Sequence, residues 1–190
     1  MYSNKYDILV VVHIIIWVNG AFGSGKTSVA YELHRRLPQS FVFDPEITGY
    51  YLRENIPHVM SKTDFQDYTL WRDFNYQMLK YIDSEYSGTV IVPMTVADPI
   101  YFIEIVGRLR EEGILISQFT LRASRETLLT RLRSRGEEEN SWAAQQIDRC
   151  VEGLNHEVFH YHLDTERLSI EDVVECIALL LDITLLPRIS

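Results

Sequence analysis

Two rhythms of apolar and polar positions run along this chain. Short apolar runs fall at 8–18, 40–43, 89–94, 114–121 and 161–163. Each is followed by a stretch with helical spacing, so the runs read as strands and the stretches as helices. The stretch 27–37 places Val29, Leu33 and Leu37 on one face, and 64–85 repeats Leu70, Phe74, Met78 and Tyr81. The stretch 169–182 repeats Val173, Ile177, Leu180 and Leu181, with Pro187 as its stop. Shorter helices are predicted at 47–53, from Asp98-Pro99 to near Glu112, from Ser124 past Leu132, and over 142–154. Pro38, Gly88 and Gly113 punctuate the elements, while Asp98 and Ser124 are the expected caps. Strand alternating with helix predicts an α/β fold: a parallel five-stranded sheet covered by helices on both faces. No repeat, linker or low-complexity tract divides the chain, so residues 1–190 read as one domain. Residues 1–12 hold a loose leader and the start of the first strand.

The first strand leads into Gly20-Ala21-Phe22-Gly23-Ser24-Gly25-Lys26-Thr27, and a helix leads out. This is the pattern G-x-x-x-x-G-K-[ST] in the strand–loop–helix setting of a phosphate-binding loop. Gly20, Gly23 and Gly25 let the backbone approach an anion closely. The N–H groups of the loop and of the first helical turn, Ser28 included, then face a phosphate, aided by the helix dipole. Lys26 supplies a charge for the β- and γ-phosphates, and the Thr27 hydroxyl is the expected ligand of a magnesium ion. The motif makes this an expected P-loop NTPase-type domain that uses ATP and Mg2+.

Composition narrows the partners. Lys+Arg number 18 against 27 Asp+Glu, a net charge of −9, which argues against wrapping nucleic acid. Any anionic ligand must therefore meet local basic clusters. Cys150 and Cys176 fall on apolar helix faces and read as buried free thiols of a cytoplasmic protein. The apolar run 8–18 is too short to span a bilayer, and a secretory cleavage near Ala21 would destroy the loop.

Several clusters then suggest chemistry. Asp44 ends the second strand, where ligands of parallel sheets gather. It could reach a substrate hydroxyl or a magnesium ion, or cap the helix that Pro45 starts. Eight aromatics crowd 50–81, Tyr50 and Trp71 among them, more than one core face uses, so part of the region 44–86 reads as an acceptor pocket. Arg131 and Arg135 are four apart and are expected on one helix face, suited to clamping phosphoryl oxygens, with Arg133 left to the surface. The polar segment 136–141 is a candidate lid, and Arg149 lies near the end of the next helix. His156, His160 and His162 lack a further patterned ligand set and are not assigned a zinc ion.

These landmarks resemble small P-loop kinases of the nucleoside-monophosphate and shikimate kinase type. Thr48-Gly49 with Leu52-Arg53 is similar to the acceptor-site T-G-x-x-L-R of adenylate kinases, which implies a substrate role for Arg53. Leu128-Leu129 with Arg131-Leu132 and Arg135 resembles their helix into the lid, and Asp164-Thr165 resembles the turn beside the adenine ring. A closer resemblance is to the bacterial tunicamycin-resistance proteins. It is carried by Trp17-Val18-Asn19 through Thr27, Glu32-Leu33-His34-Arg35-Arg36-Leu37, Asp44-Pro45-Glu46, Ile91-Val92-Pro93-Met94-Thr95, Gly107-Arg108-Leu109-Arg110, Asn140-Ser141-Trp142-Ala143-Ala144 and Gln146 through Leu154.

The resemblance implies ATP binding and resistance to a uridine-containing, acylated antibiotic, through phosphorylation or through binding alone. Under the first account Asp44 is the general base, Lys26, Arg131 and Arg135 neutralise the phosphoryl group, and Tyr50, Arg53, Trp71 and Arg149 face the substrate. A nucleotide or metabolite kinase of another acceptor is the third reading. Two departures stand out. Pro93-Met94-Thr95 lacks the third-strand carboxylate common in such kinases. Some members rest on membranes through a C-terminal amphipathic helix, and the few residues after Pro187 weigh against that contact.

Overall fold

The computed structural model describes residues 13–188. Its strands are β1 (Ile15–Gly20), β2 (Ser40–Val42), β3 (Thr89–Pro93), β4 (Ile116–Arg122) and β5 (His162–Asp164). Its helices are α1 (Lys26–Arg36), α2 (Pro45–Asn55), α3 (Thr69–Glu85), α4 (Pro99–Phe102), α5 (Arg108–Glu111), α6 (Arg125–Arg133), α7 (Trp142–Gln145), α8 (Ile147–Gly153) and α9 (Ile170–Leu181). The strands pair in the order β2-β3-β1-β4-β5, and every pair is parallel. The central strand β1 is buried along its whole length. Because side chains alternate across a strand, Ile15 and Trp17 face one layer and Ile16 and Val18 the other. The first layer includes Trp71, Leu79, Phe102 and Ile147, and the second Val29, Leu33, Val173 and Ile177.

Local chemistry explains where the helices start. Asp44 accepts the Glu46 N–H and Pro45 follows in the first turn, so α2 begins where the backbone is already set for it. Asp98 with Pro99 does the same for α4, and Ser124 for α6. Ser169 and Asp172 close a capping box on α9. The tail after α9 returns along α1, where Leu186 and Arg36 exchange hydrogen bonds through N–H and carbonyl groups.

Several elements depart from their expected outlines. The helix expected over 64–85 begins at Thr69, after a separate 3₁₀ turn, Phe65–Asp67, capped by Asp64. Its core stripe is rotated. Leu70, Phe74 and Tyr81 are 58%, 42% and 63% exposed, whereas Trp71, Asn75 and Leu79 are buried. The helix near Glu112 contains a wide π turn, Ile103–Gly107, between α4 and α5. The helix over 142–154 is two short ones, α7 and α8, meeting at Gln146. The last helix stops at Leu181 because Asp182 turns left-handed (φ 51°), well before Pro187, and Leu180 is exposed. Residues 1–12, the expected leader and strand start, lie outside the described residues. Cys150 is buried, Cys176 partly so, and both are free thiols.

Candidate functional site

The loop between β1 and α1 is held from below by two side chains. Asn19, fully buried, accepts the N–H of Gly20 (2.9 Å) and of Val96 (3.0 Å) and donates to the Val96 carbonyl (2.9 Å). Thr95 donates its hydroxyl to the Gly20 carbonyl (2.8 Å). The end of β3, which carries no carboxylate, thus fastens the loop to the sheet. Gly23 has φ 81°, and a Cβ there would meet the Leu128 carbonyl oxygen at 2.6 Å, so only glycine lets the loop seat against α6. Gly25, also left-handed, precedes α1 and provides no side-chain cap. The first N–H groups of α1 are therefore left for an anion. The Ser24 hydroxyl is buried without a hydrogen-bond partner.

Lys26 curls back over this loop and donates to the Ala21 carbonyl (3.1 Å). Burial lowers its pKa to about 8, against the opposing pull of the negative charge of Glu46. An anion at the loop would push that pKa back up. Thr27 stands exposed in the same helical turn.

Two clefts flank the loop. One, of about 300 Å³, is lined by Ser24, Gly25, Ser28, Arg131, Arg135 and Thr165, with Leu168 and Ile170 as apolar wall. It brings together Ser24, Gly25, Ser28, Arg131, Arg135 and Thr165 of the residues expected on the nucleotide side, while Lys26 and Thr27 are not in its wall and Phe22 lines the other cleft. Arg131 is pinned by two bonds to Thr165, to its hydroxyl (3.2 Å) and its carbonyl (2.6 Å). Arg135 is not on the helical face expected for it. α6 ends at Arg133, and Arg135 enters the cleft from the turn that follows, ahead of left-handed Gly136. Arg133 pairs with Glu139 at the surface.

The other cleft, about 590 Å³, is walled by Phe22, Glu46, Tyr50, Arg53, Phe65, Met94 and Trp142. Glu46, Tyr50 and Arg53 recur at i, i+4 and i+7 of α2, so one helical face lines it while Thr48, Gly49 and Leu52 pack inward. The Arg53 guanidinium lies 5.2 Å from the Phe65 ring centroid and donates to the Thr63 carbonyl. Phe22 packs edge-on against Trp142 at 5.2 Å. That contact ties the phosphate loop to α7, just after the 136–141 turn that is the candidate lid. Ser141 caps α7, and Glu137 joins the cleft wall.

Three sequence assignments change here. Trp71 is fully buried, its indole N–H donated to the Pro45 carbonyl (2.9 Å), so it braces α2 from behind and cannot touch substrate. Arg149 pairs with Asp64 (2.9 Å), docking α8 on the Phe65 turn rather than lining the cleft. Asp44 spends one carboxylate oxygen on its cap and is absent from the cleft wall. Glu46, two residues on, is the group that sequence reasoning missed. Burial raises its pKa, with the neighbouring Asp44 charge adding to the effect and Lys26 opposing it. The spacing of Glu46, Tyr50 and Arg53 was the available signal. A larger hollow of about 680 Å³ lies elsewhere, by Arg122, Ser124 and His162. Within its wall Glu166 accepts from the Ser124 N–H and hydroxyl, and Arg122 meets the His162 ring.

Comparison with known proteins fits this geometry. The family model described as an AAA domain matches residues 15–154. The tunicamycin resistance protein of Deinococcus radiodurans is 35% identical, with a TM-score of 0.79, over 92% of this chain and 99% of that one. The chain belongs to the tunicamycin-resistance protein family. Lower-identity structures share the fold of this tunicamycin-resistance homologue. An APS kinase of Mycobacterium tuberculosis in complex with AMPPNP and APS is 17% identical (TM-score 0.63) over 89% of this chain and 97% of its own. A shikimate kinase of Bacteroides thetaiotaomicron is 18% identical (TM-score 0.57) over 90% and 99%. Curated protein sequences contain no match. The chain is thus a tunicamycin-resistance homologue with a P-loop kinase fold and a nucleotide-binding loop. Among the described residues no helix is long and apolar enough to cross a membrane.

Proposed function

We propose that this protein transfers the γ-phosphoryl group of ATP to a hydroxyl of a nucleoside-like antibiotic of the tunicamycin type. The observation that carries this reading is the placement of one phosphate loop between two clefts of different character. A pure nucleotide switch has no need of the aromatic second cleft, which suits a flat or apolar acceptor. The buried, unpartnered Ser24 hydroxyl and the uncapped start of α1 fit a triphosphate. ATP would supply the phosphoryl group, and Thr27 would hold its magnesium ion. Lys26 and Arg135 would neutralise charge on the phosphoryl oxygens, joined by Arg131 once it exchanges Thr165 for the anion. Tyr50, Arg53 and Phe65 would orient the acceptor.

One observation favours a rival, a binding protein without turnover. At the end of β3 stands Thr95, its hydroxyl already spent, where a carboxylate would help to hold a metal. Incubation with magnesium-ATP and tunicamycin, followed by weighing the drug, separates the two. The expected result is a gain of one phosphate with matching ADP release. An unchanged drug mass alongside saturable binding would establish the rival.

A further inference from the structure

We propose that Glu46, rather than Asp44, is the carboxylate that receives the proton of the acceptor hydroxyl. This rests on the phosphotransfer reading and adds a catalytic residue to it.

Position separates the two acids. Asp44 precedes α2, gives one oxygen to the Glu46 N–H (2.9 Å) and lies outside the acceptor cleft. Glu46 lies in the cleft wall on the same helical face as Tyr50 and Arg53, across from Phe22 and Trp142. Glu46 lines this cleft together with Phe22 of the phosphate loop, which puts it at the seam where the acceptor cleft meets that loop. A hydroxyl held there faces the phosphoryl group on one side and a carboxylate on the other, the arrangement that general-base catalysis needs.

The carboxylate is held in place. The Tyr50 hydroxyl donates to its Oε2 (3.3 Å), which leaves Oε1 for the substrate. Beneath it the first turn of α2 is fixed twice, by the Asp44 cap and by the Trp71 indole on the Pro45 carbonyl. The charged groups around it are Lys26 from α1, Asp44 before α2, Arg53 on α2, and Lys62 and Glu137 elsewhere in the cleft wall. Lys26 opposes the rise that burial gives the Glu46 pKa, and on the phosphotransfer reading it also meets the phosphates.

The step balances. The acceptor oxygen forms a bond to the γ-phosphorus as the bond from that phosphorus to the β–γ bridging oxygen breaks. ADP leaves with that electron pair. The hydroxyl proton passes to Oε1 of Glu46, and the carboxyl group returns it to water after product release.

The test compares the wild-type chain with Glu46→Gln, Glu46→Asp and Asp44→Asn, using magnesium-ATP and tunicamycin. The readouts are drug phosphorylation by mass, separate ATP and drug affinities, and melting temperature. Glu46→Gln should lower kcat by about 10²–10⁴-fold with both affinities and the melting temperature little changed. Glu46→Asp, which keeps the charge but withdraws it by one methylene, should recover part of the rate. Asp44→Asn retains a capping side chain and should lose far less. A wild type that transfers phosphate while Glu46→Gln keeps its rate, or while Asp44→Asn is the more damaged variant, overturns the assignment alone. A wild type that binds both ligands without transfer overturns the phosphotransfer reading, and this assignment with it.

Discussion

At the scale of the residue, the phosphate loop shows how a motif and its surroundings divide the information. The sequence marks Gly23 as a position that needs freedom, but not what presses on it. That is the Leu128 carbonyl, a backbone atom that cannot turn aside. Gly136 is as left-handed (φ 84°), yet nothing lies within 4 Å of a Cβ built there. Alanine at the two sites should therefore separate backbone strain from collision. Gly136→Ala should cost about 1 kcal/mol, and Gly23→Ala about 2–4 kcal/mol with a clear loss of ATP affinity, since the loop must lift from α6. Urea unfolding and ATP titration of the two variants check this, and equal losses would mean that the Leu128 contact yields. The same lesson applies to Asp44 and Glu46. The carboxyl end of the expected second strand pointed to Asp44. Only the phase of α2 shows that its first acidic side chain in the cleft is Glu46.

At the scale of the element, the strands were the legible part, because a parallel sheet covered on both faces needs continuous apolar runs. The helices were legible in place more than in phase. In α3 two stripes run one residue apart, Leu70-Phe74-Met78-Tyr81 and Trp71-Asn75-Leu79, and hydrophobicity alone favours the first. The sheet takes the second because its polar member, Asn75, and the adjoining buried Arg72 find partners. Asn75 donates to the Trp71 carbonyl and accepts from Thr48, while Arg72 reaches Glu104 and the Gln66 carbonyl. Apart from the Trp71 carbonyl, those partners come from other elements and are invisible to a periodicity argument. Truncation tests the phase directly. Leu79→Ala, at a fully buried site, should lose about 2–5 kcal/mol of stability, whereas Leu70→Ala, 58% exposed, should lose under about 1 kcal/mol. Chemical denaturation of the two decides it, and comparable losses would return the core to the first stripe. The same limit hid the Arg149–Asp64 pair, whose partners are 85 residues apart.

At the scale of the molecule, the sheet order puts β1 at the centre with its loop at the carboxyl edge, and the clefts open on either side. Apart from the phosphate loop they share, each cleft is built from its own elements, α1, α6, α9 and the turn after β5 on one side, α2, the Phe65 turn and α7 on the other. Ligands should therefore stabilise the fold separately. A ligand at 100 times its Kd adds about 2.7 kcal/mol to a folded state that alone binds it. For a domain of this size that corresponds to a rise in melting temperature of roughly 5–10 °C. Magnesium-ATP and tunicamycin should each produce such a shift alone. Lys26→Ala should remove the shift with ATP while keeping most of the shift with the drug, because Lys26 caps the loop and does not line the acceptor cleft. Thermal melts of both proteins with each ligand provide the measurement. An ATP shift that survives Lys26→Ala would place the nucleotide away from the loop. A drug shift lost with it would mean that the two clefts fill as one site, through the seam where Phe22 of the loop and Glu46 share a wall.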